Sequence, residues 1–198
     1  MKNYDFINKI TFALCMLLCV ACEGTFVLDP IDPRLPKYTE TGNNVAGAEI
    51  NGDFWKSVSK SGFMYADLSH SIAIIPLQDS LSVQFEGVVT YGDVIDLQFN
   101  LKGLNIHKFE DLLLLRGKKI ALDGVQKAGV FIRNTYDTYK AGIGQIYFKN
   151  ASINSAGNVI TLSGTFGFTV KDGAGKNIEI SYGRFDYTFE PAINLDIQ

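Results

Sequence analysis

The chain has 198 residues, 46% apolar and 20% charged, with 18 basic and 21 acidic side chains giving a net charge of −3. Enough apolar residues are present for a folded core, and the mild acidity excludes the basic footprint that nucleic acid requires. The densest basic group, Arg116 with Lys118 and Lys119, reads as a solvated rim.

Residues 1–21 read as a signal peptide. Lys2 and Lys9 make a weakly basic start, Ile10 to Ala21 form an apolar run, and the small residues Val20 and Ala21 precede Cys22. A run of that length falls short of the roughly twenty helical residues that span a hydrocarbon layer, so it is a leader to be cleaved. The pattern resembles the bacterial lipobox, in which the cysteine after a small residue is acylated and becomes the first residue of the mature protein. It departs from the commonest form, because Leu18 lies four places before Cys22 and Cys19 occupies the third place. The alternative is an ordinary secretory leader cut nearby, leaving Cys22 as a free thiol. Against it stand the lack of an Ala-x-Ala site and the tether-like residues that follow. Cys15 and Cys19 leave with the leader, so the mature chain has no intramolecular disulfide and depends on packing. Losing Lys2, Lys9 and Asp5 leaves sixteen basic against twenty acidic residues, a mature net charge of −4. Several acyl chains on Cys22 would hold the protein durably on a membrane, where one alone gives reversible attachment.

Residues 22–45 are expected to form the lipidated cysteine and a tether. Pro30, Pro33 and Pro36 favour extended backbone, and Gly42, Asn43 and Asn44 add a flexible end. Phe26, Val27 and Leu28 are an apolar exception that suits either the membrane surface or the domain.

Residues 46–198 are expected to form one β-rich domain, a length that makes a single core. Leu81, Val83 and Phe85 alternate with Ser82, Gln84 and Glu86, and Ile95, Leu97, Phe99 and Leu101 with Asp96, Gln98, Asn100 and Lys102. Each is a strand with one dry and one wet face, the pattern of antiparallel sheet. Ile160, Leu162, Phe166, Phe168 and Val170 share a parity in one long strand, bent at Gly164 or Gly167. Ile178, Ile180 and Tyr182 lie on the opposite parity to Phe185, Tyr187 and Phe189, so a bulge or tight turn is required at Gly183-Arg184. Asn51-Gly52, Ala156-Gly157-Asn158 and Asp172-Gly173-Ala174-Gly175 mark hairpin turns. Asn105 to Gly117, with Phe109, Leu112 and Leu113 at helical spacing, reads as a short helix closing one end, although four consecutive leucines also suit a buried strand. The expected fold is mostly β: an antiparallel β-sandwich or closed barrel of about 9–11 strands, with one short helix.

Ile50-Asn51-Gly52 with Trp55, then Leu162-Ser163-Gly164-Thr165-Phe166-Gly167-Phe168 and Tyr182-Gly183-Arg184-Phe185-Asp186, resemble the two ends of an uncharacterised family of Bacteroidota lipoproteins. The resemblance implies a lipobox leader, a short variable tether and a β-rich domain of unknown function, and it implies no catalytic residues. These motif residues have a structural reading first: Trp55 plugs one end of a sheet, Gly164 and Gly183 allow bends, and the phenylalanines fill the core. Arg184 would pair with Asp186 or with a carbonyl at the change of register.

Residues that could carry chemistry are few. His70 and His107 have no zinc-ligand spacing, and no metal or cofactor is expected. Asp172 to Glu179 lacks the oxygen ligands of a calcium loop and reads as a hairpin. Asp93, Asp96 and Glu86 could be paired as glycosidase carboxylates are, yet the spacing is that of any wet sheet edge. The more suggestive group is Tyr136, Asp137 and Tyr139 within Asn134–Lys140, whose rings, carboxylate and amide are of the kind that stack on sugars and bond their hydroxyls. The competing reading is that the two tyrosines cover the sheet end.

Three functions stay open on these grounds. The favoured one is a non-enzymatic accessory module, anchored to the membrane through Cys22, that binds a glycan, a peptide or an envelope protein. The others are an assembly protein pairing through an edge strand, and a hydrolase. Glu23 after Cys22 is not the aspartate that marks inner-membrane retention in enteric systems, so the outer membrane is expected. With a single acidic residue after the cysteine, the periplasmic face is favoured over the cell surface.

Overall fold

A computed structural model describes residues 32–58, 72–77, 79–90, 92–133 and 136–190. The expected leader, Cys22, Phe26 to Leu28, His70, Asn134 and Thr135 lie outside the described residues. Among the described residues ten strands follow one another: β1 (Val45–Ile50), β2 (Asp53–Ser57), β3 (Ile72–Leu77), β4 (Ser80–Val89), β5 (Val94–Lys102), β6 (Lys118–Asp123), β7 (Lys127–Ile132), β8 (Thr138–Ile153), β9 (Ile160–Lys171) and β10 (Asn177–Phe189).

Eight of them close into an antiparallel barrel in the order β2-β1-β10-β9-β8-β7-β5-β4, and β4 returns to β2. The closing seam is short, with Trp55 opposite Val89, Lys56 opposite Val88 and Ser57 opposite Gly87. The other two strands lie outside the ring. β3 takes the edge of β4 before the seam, and β6 takes the edge of β8 that β7 leaves free. The expected choice between sandwich and barrel therefore resolves to a closed barrel.

The alternating residues explain why it closes. Leu81, Val83, Phe85, Leu97, Phe99 and Leu101 are all buried to 1% exposure or less. Among them Phe85 meets the rings of Phe166, Phe185 and Tyr187, Phe99 meets Phe166, and Phe148 joins the set through Phe185. The barrel interior is thus packed with side chains. An apolar inside and a polar outside are the reverse of a barrel that spans a bilayer.

Local chemistry falls close to expectation. Asn51 and Gly52 both have positive φ, 51° and 89°, as a type I′ turn demands. Asp172 Oδ1 accepts the N–H groups of Ala174 and Lys176, making that stretch the β9–β10 hairpin. Phe109–Leu115 is a 3-10 helix that buries Phe109, Leu112 and Leu115 and stops before Gly117, φ 73°. It starts later than Asn105, where the Asp111 carboxylate accepts the N–H groups of His107 and Lys108.

Two expectations are corrected. The parity change in β10 falls at Ser181-Tyr182 rather than Gly183-Arg184, where β10 carries one residue more than both β9 and β1. Tyr182 takes the left-handed conformation, φ 51°, with its ring outside, and Gly183 follows because the Phe166 ring lies where its Cβ would be.

The second correction concerns residues 32–44, expected as tether and found as a strap on the barrel; the compact unit begins at Asp32. Leu35 is buried, and Gly47 leaves room for Pro36, whose Cδ would stand 2.4 Å from a Cβ there. Asp186, 2% exposed, accepts four hydrogen bonds from the strap: Thr39 Oγ1 at 2.6 Å and the N–H groups of Thr41, Gly42 and Asn43 at 2.9 to 3.1 Å. Arg184 donates to the Pro36 carbonyl oxygen, a carbonyl of the strap.

Three segments assemble in one place. The Asn51-Gly52 hairpin with Trp55, β9 and β10 form the adjacent strands β2-β1-β10-β9. Trp55 is fully buried and its Nε1 donates to the Ile95 carbonyl oxygen at 2.8 Å.

Candidate functional site

The wet faces of β4 and β5 are laid together by their register. Ser82 stands opposite Asn100, Gln84 opposite Gln98 and Glu86 opposite Asp96, and β7 continues these rows with Ala128, Val130 and Ile132. Successive rows are two residues apart, about 6.8 Å, so the four rows from Ser80–Lys102 to Glu86–Asp96 cover about 20 Å. The side chains are tied to one another: Gln98 Nε2 donates to Ser82 Oγ at 3.0 Å and to Asn100 Oδ1 at 2.7 Å. Ser82 and Asp96 are buried although they face outward.

At the Ser80 end this face sinks into a groove of about 470 Å³. Its walls carry Ser80, Ser82, Asn100 and Gln126 as hydroxyls and amides, Lys102 and Lys140 as charges, and Ala128, Val130 and Ala141 as a small apolar floor. No carboxylate is among the residues that line it. One wall is the turn after β6, organised by Asp123, whose Oδ1 accepts the N–H groups of Val125, Gln126 and Lys127 at 2.8 to 2.9 Å. Those N–H groups hold the Asp123 carboxyl below its usual range, the Lys127 bond foremost. The turn is also joined to β5, since Lys102 N–H donates to the Gln126 carbonyl oxygen.

The opposite wall is a bulge in β8. Gly142 faces Gly129 and Tyr139 faces Phe131, so Lys140 and Ala141 span one position of β7. Ala141 has φ 62°, a left-handed conformation that a residue with a Cβ adopts at a cost of about 1 kcal/mol or more.

The tyrosine group of the sequence reading is divided. Tyr136 is 94% exposed in the β7–β8 turn, at the far end of the polar face, while the Tyr139 ring stacks on buried Phe131 with centroids 6.1 Å apart. Asp137 is half-buried and its carbonyl oxygen accepts the Arg133 N–H. The structure thus holds Tyr136 well out in solvent and packs Tyr139, partly buried, against the core. Glu86 and Asp96 do face each other, but neither lines the groove. His107 is exposed at the start of the 3-10 helix, and among the described residues no cluster of three or more His, Cys, Asp or Glu is placed to hold a metal.

A second hollow, about 370 Å³, lies beside the closing seam against Arg34, Phe54 and Lys56. There the Arg34 guanidinium stacks on Phe54 at 3.7 Å and binds Asp32 through two hydrogen bonds, which lower the Asp32 carboxyl to about 2. Its main cation is therefore already neutralised.

Compared with protein-family models, curated proteins and solved structures, the chain has no match. Function has to be argued from the barrel and its groove. The groove residues of β4 and β5 were legible individually, since Ser82, Asn100 and Lys102 are wet positions of alternating strands. Their convergence with Lys140 and Gln126 depends on pairing across four strands, for which no local signal exists.

Proposed function

We propose that this chain is an envelope lipoprotein, acylated on Cys22 and held at the outer membrane on its periplasmic face, whose barrel is a rigid support for a non-enzymatic glycan-binding groove. The observation that carries the binding role is the groove itself: amide and hydroxyl groups on paired strands, over a packed core, with no carboxylate to act as acid or base. Amides and hydroxyls both donate and accept, which suits a ligand made of hydroxyl groups. A peptide is less well served, because the backbone groups of β4, β5 and β7 are already bonded to one another. Since residues 32–44 belong to the domain, residues 23–31 remain for the tether, a reach of at most about 32 Å.

The anchor and the groove are tested separately. Cys22→Ser should abolish lipid labelling and release the protein in soluble form, and persistent labelling would contradict acylation at that residue. Protease treatment of intact cells should leave the domain uncut; its loss would move it to the cell surface. On an array of neutral and charged glycans the full chain should be retained, and Asn100→Ala should reduce retention without lowering the melting midpoint. Retention of no glycan at all would remove the binding role.

Pairing through an edge strand is the second reading, because β3 and β6 are each paired on one side among the described residues. Those edges carry Pro76 and the pair Lys118-Lys119, residues that hinder strand addition. The groove reading is therefore preferred.

A further inference from the structure

We propose that the groove is selective for acidic glycans, with Lys102 and Lys140 as two separated anchors for carboxylates on different sugars of one chain. This inference rests on the glycan reading of the same groove and adds the charge of its ligand.

Both charges lining the groove are positive, on a protein whose mature sequence is acidic. A local excess of cations against the overall balance favours an anionic ligand and repels none of it. The lysines also stand well apart. Lys140 lies beside Val130, which pairs with Gln98, four residues along β5 from Lys102. Their backbones are thus about 13 Å apart along the strands, an offset suited to charges repeated along an oligosaccharide.

The placement of Lys140 is built into the fold. Its bulge puts the strained Ala141 next to it, and the glycines flanking the bulge leave no freedom beneath. A Cβ at Gly129 would stand 2.3 Å from the Phe168 ring and one at Gly142 2.7 Å from it. The backbone is thus seated directly on a buried aromatic ring, which fixes where the lysine emerges. Regular pairing would have avoided the left-handed alanine, and strain of this kind concentrates where a side chain must be aimed. Lys102 is fixed from the other side by its N–H bond to Gln126 and by Gly103, whose N–H donates to the Asp79 carbonyl oxygen.

The test uses the full chain in detergent and oligosaccharides of galacturonate, mannuronate and hyaluronan, each as free acid and as methyl ester. For at least one of them the free acid should bind about tenfold more tightly than its ester at low ionic strength, with the margin shrinking in about 0.5 M salt. Lys102→Met and Lys140→Met should each weaken binding of that acid about fivefold at an unchanged melting midpoint, with Lys140→Arg restoring most of it. Equal binding of acid and ester, or retention of neutral glycans only, would overturn the selectivity and leave the glycan reading standing. Failure of every acid, ester and neutral glycan to bind would overturn both. Because acid and ester are compared on the unaltered protein, the result does not depend on the variants folding.

Discussion

The indole of Trp55 lies directly on Gly87 across the closing seam of the barrel: a Cβ at Gly87 would stand 2.4 Å from both Cε2 and Cζ2 of the ring and 2.5 Å from the Lys56 carbonyl oxygen. Three residue pairs close the ring, and the fully buried indole can dock there because one partner has no side chain. The seam consequently depends on a glycine at position 87.

Gly87→Ala should destabilise the protein by about 2 to 3 kcal/mol, since neither a buried indole nor a backbone carbonyl can move aside. Urea unfolding measures this. A change below about 0.5 kcal/mol would mean that the seam is looser than described.

Asp186→Ala should free the strap. Three backbone N–H groups and the Thr39 hydroxyl lose a buried acceptor, a loss of about 3 kcal/mol. Trypsin should then cut after Lys37 faster than the barrel unfolds, because local opening needs less energy than global unfolding. Unchanged cleavage at Lys37 would show that Asp186 does not hold the strap down.

Ala141→Gly should raise stability by roughly 0.5 to 1 kcal/mol, the relief of the left-handed alanine exceeding the added freedom of glycine in the unfolded chain. A loss of stability on thermal unfolding would refute the strain assigned to the β8 bulge.

Acid should weaken the fold in a defined window. The Asp123, Asp111 and Glu40 carboxyls are held below their usual values, the first two by backbone N–H groups and the third by Lys149 at 3.0 Å, and Asp32 is lowered to about 2 by Arg34. Groups depressed in the folded state contribute stability above their unfolded values, near 3.9 for Asp and 4.3 for Glu, and that contribution is lost as pH falls through the folded values. The melting midpoint should be level from about pH 5 to 7 and decline below about pH 4, less steeply in Asp123→Asn. A midpoint rising below pH 4 would reverse the sign of this linkage.

Much of the barrel was legible because alternation is a local signal. Leu81, Val83 and Phe85 on one parity and Ser82, Gln84 and Glu86 on the other state which face is wet before any partner strand is known. Closure is not local, so sandwich and barrel stayed equivalent until β2 met β4. The strap was misread for a related reason: Pro33, Pro36 and Gly42 favour extended or turning backbone equally in free tether and in a segment pinned by Asp186, far along the chain. Tyr136 and Tyr139 look alike in sequence, but the β8 bulge between Tyr139 and Gly142 and the stacking on Phe131 give them different fates.

The central claim is that the groove over β4, β5 and β7, bounded by the β8 bulge, is where this protein meets its ligand. Amide and side-chain NMR shifts recorded while an acidic oligosaccharide is titrated into the full chain test it most directly. The account predicts changes concentrated on Ser82, Asn100, Lys102, Gln126 and Lys140, with Tyr136 affected only by longer oligosaccharides. Changes centred on the Arg34–Phe54 hollow or on the Tyr136 turn, with those five residues unmoved, would contradict it.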